Sequence, residues 1–324
     1  MKQTLSPGRW RGLKTTSTRH NVFTILAFDQ RGTYRKMLPP DTDYDTAAQI
    51  KCEVVTALSY ESSAILLDSY YGLQAALSMS GSSGLLMALE ESGYSGDSTY
   101  RRIVFNPNWT VAKIKQVGAS AIKLLAYYHP HSGALAEEVE NVIARVRDEC
   151  HQHDITLFLE PVSYSLDAAV PKDSETFARL RPQIVRDTAD RLSKLQPDVL
   201  KLEFPVDISY DKDENSWRAA CEAVSQASDV PWVLLSAGVD FEMFERQTRI
   251  ACEAGASGFL AGRAIWKESV VMSPEDRQRF LETTASDRLR RLTAITNEYA
   301  RPWTEFYTPI PSTADWFVNY PALA

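Results

Sequence analysis

Eight short apolar runs, each followed by turn residues and then a longer amphipathic stretch, constrain this chain more than any other feature. They are Val22–Phe28, Ala64–Leu67, Gly84–Ala88, Ala121–Leu125, Ile155–Leu159, Val199–Phe204, Trp232–Leu235 and Gly258–Ala261. The runs are continuous rather than alternating, as expected of strands buried on both faces of a parallel sheet. Helical patterns lie between them. From Ala134 to His151, Leu135, Val139, Val142, Ile143 and Val146 recur at three- and four-residue steps beside a charged face. Similar patterns cover Thr46–Leu58, Ser174–Leu195, Trp217–Ala227 and Phe241–Ala254, the last with Asp240 as its N-cap. Strand and helix alternate without a composition break or a Gly/Ser-rich linker. This predicts one closed (β/α)8 TIM barrel over about residues 20–300, within a single domain spanning 1–324. A doubly wound open sheet is the competing architecture, and the lack of a GxGxxG or Walker-type loop in the first turn counts against it. The tail after Arg290, with Trp303, Phe306, Tyr307, Trp316 and Phe317, suggests an irregular aromatic C-terminal extension over about 301–324. It would pack on the barrel or on a neighbouring subunit.

Composition narrows the function classes. The 324 residues carry 35 Lys+Arg against 42 Asp+Glu, a net charge of −7, which argues against a polyanion-binding surface and so against nucleic acid as a partner. The N-terminal MKQTLSPGRWRG lacks the apolar run of a secretory signal, and no stretch has the roughly 18 apolar residues of a membrane span. Cys52, Cys150, Cys221 and Cys252 are widely spaced and form no CxxC pair, as in a reducing compartment. A cytoplasmic protein without a membrane partner is expected, acting on a small molecule and assembling as a homo-oligomer.

In a barrel of this kind, chemistry takes place where the strands end at their C-terminal edge. Asp29 ends the first run, Lys123 interrupts the fourth, Glu160 closes the fifth before Pro161, and Lys201 interrupts the sixth. A lysine inside an apolar strand loses solvation of its charge, so its pKa falls and free amine becomes available at neutral pH. A free amine can attack a carbonyl, and the iminium so formed is the electron sink needed to break a neighbouring carbon–carbon bond. A nearby carboxyl can shuttle the protons, and a second lysine can depress the pKa of the first. The same residues also suit a structural role, with Lys123 and Lys201 snorkelling to solvent or pairing with Glu160 and Glu203. Glu203, two residues after Lys201 and on the same strand face, is either a partner or a weaker competitor for the acid role.

Ser236-Ala237-Gly238 follows the seventh run and Gly262-Arg263-Ala264 the eighth. Loops at these two places commonly bind phosphate through backbone N–H groups, and an arginine adds charge. His129 and His131 lie after the fourth run, on the active-site side, where they are either substrate contacts or solvated loop residues. His151 and His153 lie at a helix C-terminus on the opposite end, where the helix dipole favours them. The two pairs cannot converge as metal ligands, so neither a catalytic metal nor another cofactor is expected.

Eight segments, in order, resemble the tagatose 1,6-bisphosphate aldolase family of class I aldolases from about Phe23 to Tyr299. They are Leu26–Gly32, Leu66–Leu73, Glu91-Ser92-Gly93-Tyr94, Lys123–Tyr128, Phe158–Glu160, Val199–Val206, Leu235–Val239 and Gly262–Trp266. The resemblance implies a (β/α)8 barrel in which Lys201 forms the Schiff base, Glu160 is the main proton shuttle, and Asp29 and Lys123 assist. It further implies that Ser236, Gly238, Gly262 and Arg263 hold the phosphate of dihydroxyacetone phosphate, while Gln30 and Arg31 meet a substrate hydroxyl or the distal anionic group. The implied substrate is a ketohexose 1,6-bisphosphate, tagatose 1,6-bisphosphate foremost. A related branch, the sulfofructose 1-phosphate aldolases, shares the Asp29-Gln30-Arg31 segment and the stretches Pro231–Ser236 and Gly255–Ala264, and binds a sulfonate at the far end. Tyr70–Leu73 and Glu91–Tyr94 lean to the tagatose branch, whereas His129-Pro130-His131 and the aromatic tail depart from its pattern. A sugar-phosphate sensor on the same scaffold is the alternative from another class, and the intact lysines and acids argue against it.

Overall fold

The computed structural model describes residues 2–91, 97–318 and 320. Ser92, Gly93 and Tyr94 of the third matching segment lie outside the described residues, as do 319 and 321–324 of the C-terminal extension.

All eight apolar runs are strands: β1 (Phe23–Phe28), β2 (Ala64–Leu67), β3 (Gly84–Ala88), β4 (Ala121–Tyr127), β5 (Thr156–Val162), β6 (Val199–Leu202), β7 (Trp232–Leu235) and β8 (Gly258–Ala261). Each pairs in parallel with its neighbours in chain order, and β8 returns to β1 through Phe23↔Gly258 and Leu26↔Ala261, closing the barrel. Closure buries both faces of every strand, which is why the runs are continuously apolar. Phe23, Ile25, Ala27, Leu66, Leu86, Ala121, Phe158, Val199, Val233 and Leu260 form one cluster, filling the lumen. Their strand neighbours Leu26, Phe28, Ile65, Leu67, Ile122, Leu157 and Leu200 pack outward against the helices.

The helices begin where polar caps allow. Asp43 accepts from the N–H of Thr46, Asp213 from Asn215 and Asp240 from Met243, so the helices run Tyr44–Leu58, Glu214–Ala227 and Phe241–Glu253. Two of these start earlier than apolar periodicity alone implies, because the first helical turn is polar. The fifth strand also departs from expectation: it runs past Glu160 and Pro161 to Val162. Beyond Leu159 it pairs with β4 and no longer with β6, and a strand edge tolerates proline. Among the described residues no helix is long and apolar enough to cross a membrane, and the four cysteines are buried free thiols.

The N-terminal segment stoppers one end of the barrel. The helix Pro7–Thr16 lies so close to the strand starts that a Cβ on Gly12 would come 2.2 Å from Thr156 Oγ1. Asp154 accepts from the N–H of Gly8 and Arg9 at 2.7 and 3.1 Å, and Arg9 Nη2 meets buried Asp198 at 2.7 Å. The C-terminal extension is more regular than its sequence suggests. The helix Ser286–Tyr299 runs on past Arg290, and Tyr307–Pro309 then pairs in parallel with Gln3–Leu5. Trp303 and Tyr307 are buried under the barrel, whereas Trp316 and Phe317 are exposed.

At the other end a buried ion pair stitches β1 to β2. Lys51, on the inner face of the helix Tyr44–Leu58, donates to Asp68 and to the carbonyls of Phe28 (2.7 Å) and Gln30 (3.1 Å). Asp68 in turn accepts from the N–H groups of Tyr70 and Tyr71. Burial drives the Lys51 pKa down against the pull of Asp68. Lys51→Met therefore leaves a buried carboxylate without its cation, and we expect a loss of about 3–5 kcal/mol in denaturant unfolding.

Candidate active site

The alternation that packs the lumen also builds the site. Lumen-facing Ala27, Ala121, Phe158 and Val199 are each followed two positions later by Asp29, Lys123, Glu160 and Lys201, one layer nearer the C-terminal mouth. The four groups meet there. Lys123 Nζ lies 2.7 Å from Asp29 Oδ2 and 3.2 Å from Glu160 Oε2, and Lys201 Nζ lies 2.7 Å from Glu160 Oε1. Glu160 thus bridges the two lysines.

A third carboxylate, not anticipated from the sequence, completes the cluster. Glu90, two residues past β3, places Oε1 2.8 Å from Lys123 Nζ and accepts at Oε2 from the N–H of Leu125 at 2.9 Å. Arg31 Nη2 donates to the Glu90 carbonyl at 2.8 Å and lies 3.6 Å from its Oε1. The signal for Glu90 was present: it stands two positions past Ala88, as Asp29 does past Ala27. It is masked by Glu91, which makes the pair resemble the start of a polar loop. Lys51 was legible too, as a lysine at helical spacing with Ala47, Val54, Val55 and Leu58.

The electrostatics overturn the expectation of a lowered pKa for Lys123. Burial pulls the Lys123 pKa down, but Asp29, Glu90 and Glu160 together overcome it and hold the ammonium well above the ordinary lysine range. Burial likewise works to raise the pKa of Asp29, and the charges of Lys123 and Lys201 outweigh it, keeping Asp29 far below the usual carboxylate range. Among the described residues, Lys201 has one carboxylate within 4 Å where Lys123 has three. Glu203, a candidate partner or competitor, stands apart. The strand ends at Leu202, and the Glu203 carboxylate turns to Lys172 at 2.5 Å and to the Ser163 N–H at 2.8 Å.

The loops after β7 and β8 form a second group. Ala237 and Gly238 both have positive φ, 47° and 83°, turning the chain sharply, and the Arg263 guanidinium lies over Gly238, where a Cβ would come within 3.0 Å of it. Ser236 Oγ accepts from the Gly262 N–H at 3.3 Å, tying the two loops together. Gln30 joins this group to the first, since a Cβ on Gly262 would sit 3.3 Å from Gln30 Nε2. Among the described residues, Gln30 Oε1 and Arg31 Nε are buried without a hydrogen-bond partner, and Glu160 Oε2 has only its ion pair with Lys123. The ten residues singled out from the sequence therefore occupy one mouth of the barrel. The histidines do not join them. His129 is buried, with its ring against Tyr164, rather than solvated, and His131 reaches out to Asp187 at 3.0 Å.

Comparison with known proteins gives consistent results. The profile of the DeoC/LacD family aldolases matches residues 23–268. Tagatose 1,6-diphosphate aldolase 2 of Enterococcus faecalis is 33% identical over 326 residues, covering 93% of this chain and 97% of that protein. Tagatose 1,6-diphosphate aldolase of Lactococcus lactis is 32% identical over 323 residues, covering 93% and 99%. Among solved structures, an archaeal fructose-1,6-bisphosphate aldolase with its catalytic Lys bound to the carbinolamine intermediate shares the fold. Its TM-score is 0.58 at 20% identity, covering 89% of this chain and 98% of that one.

Two histidines offer a check on these surroundings. Burial, and the neighbouring charge of His131 or Arg9 respectively, lower the pKa of His129 and of His151 to about 4. An unfolded histidine titrates near about 6.5, so between the two values the unfolded chain binds more protons than the folded one. The stability that these rings contribute is full above that unfolded value and falls away as the pH drops through the window towards 4. In an NMR titration both rings should show midpoints near pH 4, and denaturant midpoints should decline across the same window.

Proposed function

Because the chain belongs to the DeoC/LacD family of aldolases, we propose that it cleaves a ketohexose 1,6-bisphosphate through a Schiff base on Lys201, with tagatose 1,6-bisphosphate as the first substrate to assay. The products are dihydroxyacetone phosphate and glyceraldehyde 3-phosphate. The relatives named for that substrate support this choice. The observation that carries the assignment of Lys201 is the unequal sharing of carboxylates. A single proton shift across the 2.7 Å contact between Lys201 and Glu160 produces a free amine and a carboxylic acid side by side. Lys123, gripped by three acids, stays a cation.

The steps follow from that pair. The Lys201 amine attacks the C2 ketone, and Glu160 protonates the carbinolamine hydroxyl as water leaves, giving the iminium. A carboxylate, Glu160 or Asp29, takes the proton of the C4 hydroxyl, the C3–C4 bond breaks, and its electrons move into the iminium to form the enamine. The aldehyde departs, C3 is reprotonated, and water releases Lys201. Lys123 supplies fixed positive charge where the C4 oxygen becomes negative. The 1-phosphate lies between the loops after β7 and β8, held by Ser236, Gly238 and Gly262 and by the Arg263 guanidinium. Gln30 and Arg31, with their orphaned buried atoms, meet a substrate hydroxyl or the distal phosphate.

Incubation with dihydroxyacetone phosphate followed by borohydride reduction should leave the mass of the reduced adduct on the peptide containing Lys201. An adduct on Lys123 would overturn the division of roles. Lys201→Met should lose the adduct and lower kcat by roughly 10³-fold or more. Arg263→Ala should instead act mainly on binding, raising KM about 10- to 100-fold, as expected when a charge-assisted hydrogen bond is removed.

A further inference from the structure

We propose that Glu90 is a positioning residue, holding the Lys123 ammonium between Asp29 and Glu160 and linking that position to Arg31. This inference rests on the aldolase function proposed above.

Glu90 is buried, and both of its carboxylate oxygens are committed. One accepts from Lys123 Nζ at 2.8 Å and the other from the Leu125 N–H at 2.9 Å. The two donors lie two residues apart on β4, so one carboxylate grips both the side chain that must be aimed and the backbone from which it springs. Glu160 differs: its oxygens are divided between the two lysines, Oε1 at 2.7 Å from Lys201 and Oε2 at 3.2 Å from Lys123, with no backbone N–H holding either. Glu90 makes no contact with Lys201, and with both oxygens held by donors on β4, shuttling a proton would cost it an existing bond. It therefore acts through Lys123 rather than on substrate.

Its own backbone is also pinned. Glu90 bridges to Phe105, the Glu91 N–H donates to the Val104 carbonyl at 2.8 Å, and Arg31 Nη2 donates to the Glu90 carbonyl at 2.8 Å. One residue thus couples Arg31, after β1, to Lys123 on β4. The cost of the arrangement is a buried carboxylate: burial raises the pKa of Glu90 against the opposing pull of Lys123 and the Leu125 N–H.

The charged groups around Lys123 are Asp29 from β1, Glu90 from beyond β3 and Glu160 from β5, with Lys201 behind Glu160 and Arg31 behind Glu90. Glu90→Gln removes one of three anions and sets an amide NH2 against either Lys123 or the Leu125 N–H. Lys123 then tilts and surrenders its proton more easily. We expect kcat to fall about 100-fold, as for a misplaced catalytic group, with KM little changed. The alkaline limb of the kcat–pH profile should move towards neutrality by about one pH unit or more.

The borohydride adduct on Lys201 separates the possible failures. No adduct in the unsubstituted protein sinks the aldolase function itself. An adduct in both proteins, with the alkaline limb of Glu90→Gln unmoved and only the melting temperature lowered, assigns Glu90 to packing and overturns this inference alone. Glu90→Asp keeps the charge on a shorter arm and serves if Glu90→Gln fails to fold. It should lower kcat while leaving the alkaline limb in place, and a limb displaced by about one unit would equally overturn the proposal.

Discussion

The site depends on how buried charge is compensated around Lys123. Three carboxylates and two lysines sit at the top of an apolar lumen, where an unpaired charge would be severely destabilised and paired ones interact strongly. The pairing is uneven. Lys123 takes Asp29, Glu90 and one oxygen of Glu160, and Lys201 is left with the other oxygen. This asymmetry gives two lysines of the same type and similar burial different surroundings: among the described residues, Lys123 is held between three carboxylates, whereas Lys201 has one within ion-pair distance.

The barrel makes such a cluster possible by leaving one end to chemistry and sealing the other. At the sealed end, Gly12 lets the N-terminal helix lie directly on Thr156, while Asp154 and Asp198 answer its N-terminal N–H groups and Arg9. At the open end, Lys51, held by Asp68, fixes the backbone on either side of Asp29 by donating to the carbonyls of Phe28 and Gln30. Asp29 is therefore placed from below by β1 and from the side by a helix residue.

Most of the fold was legible because closure demands continuous apolar strands, and such runs stand out against amphipathic helices. The four strand-borne groups were legible for a related reason: a charge within or at the end of an apolar strand stands out, although the residues alone left snorkelling and structural pairing open beside chemistry. Legibility failed where a group's partner is distant in sequence. Glu90 lies in a polar dipeptide, and nothing local reveals that Lys123, on the next strand, claims it. Glu203 shares a strand face with Lys201 in principle, yet β6 ends one residue earlier and Lys172 captures the carboxylate. His129 looks like a loop residue, yet it is buried with its ring against Tyr164.

From the sequence alone followed the placement of Asp29, Lys123, Glu160 and Lys201 within or at the ends of apolar strands, the eight-fold alternation that makes a barrel, and the two loops that follow β7 and β8. These are local consequences of strand geometry and of hydrophobic burial, and they need no knowledge of which strands touch. Only the tertiary structure decided which carboxylate serves which lysine. Ion pairing inside a closed barrel is set by distances across strands, and the direction of a buried lysine's pKa depends on the number of anions within reach. The sequence supplied two strand lysines; the fold brings three acids onto Lys123 and, among the described residues, one within ion-pair distance of Lys201.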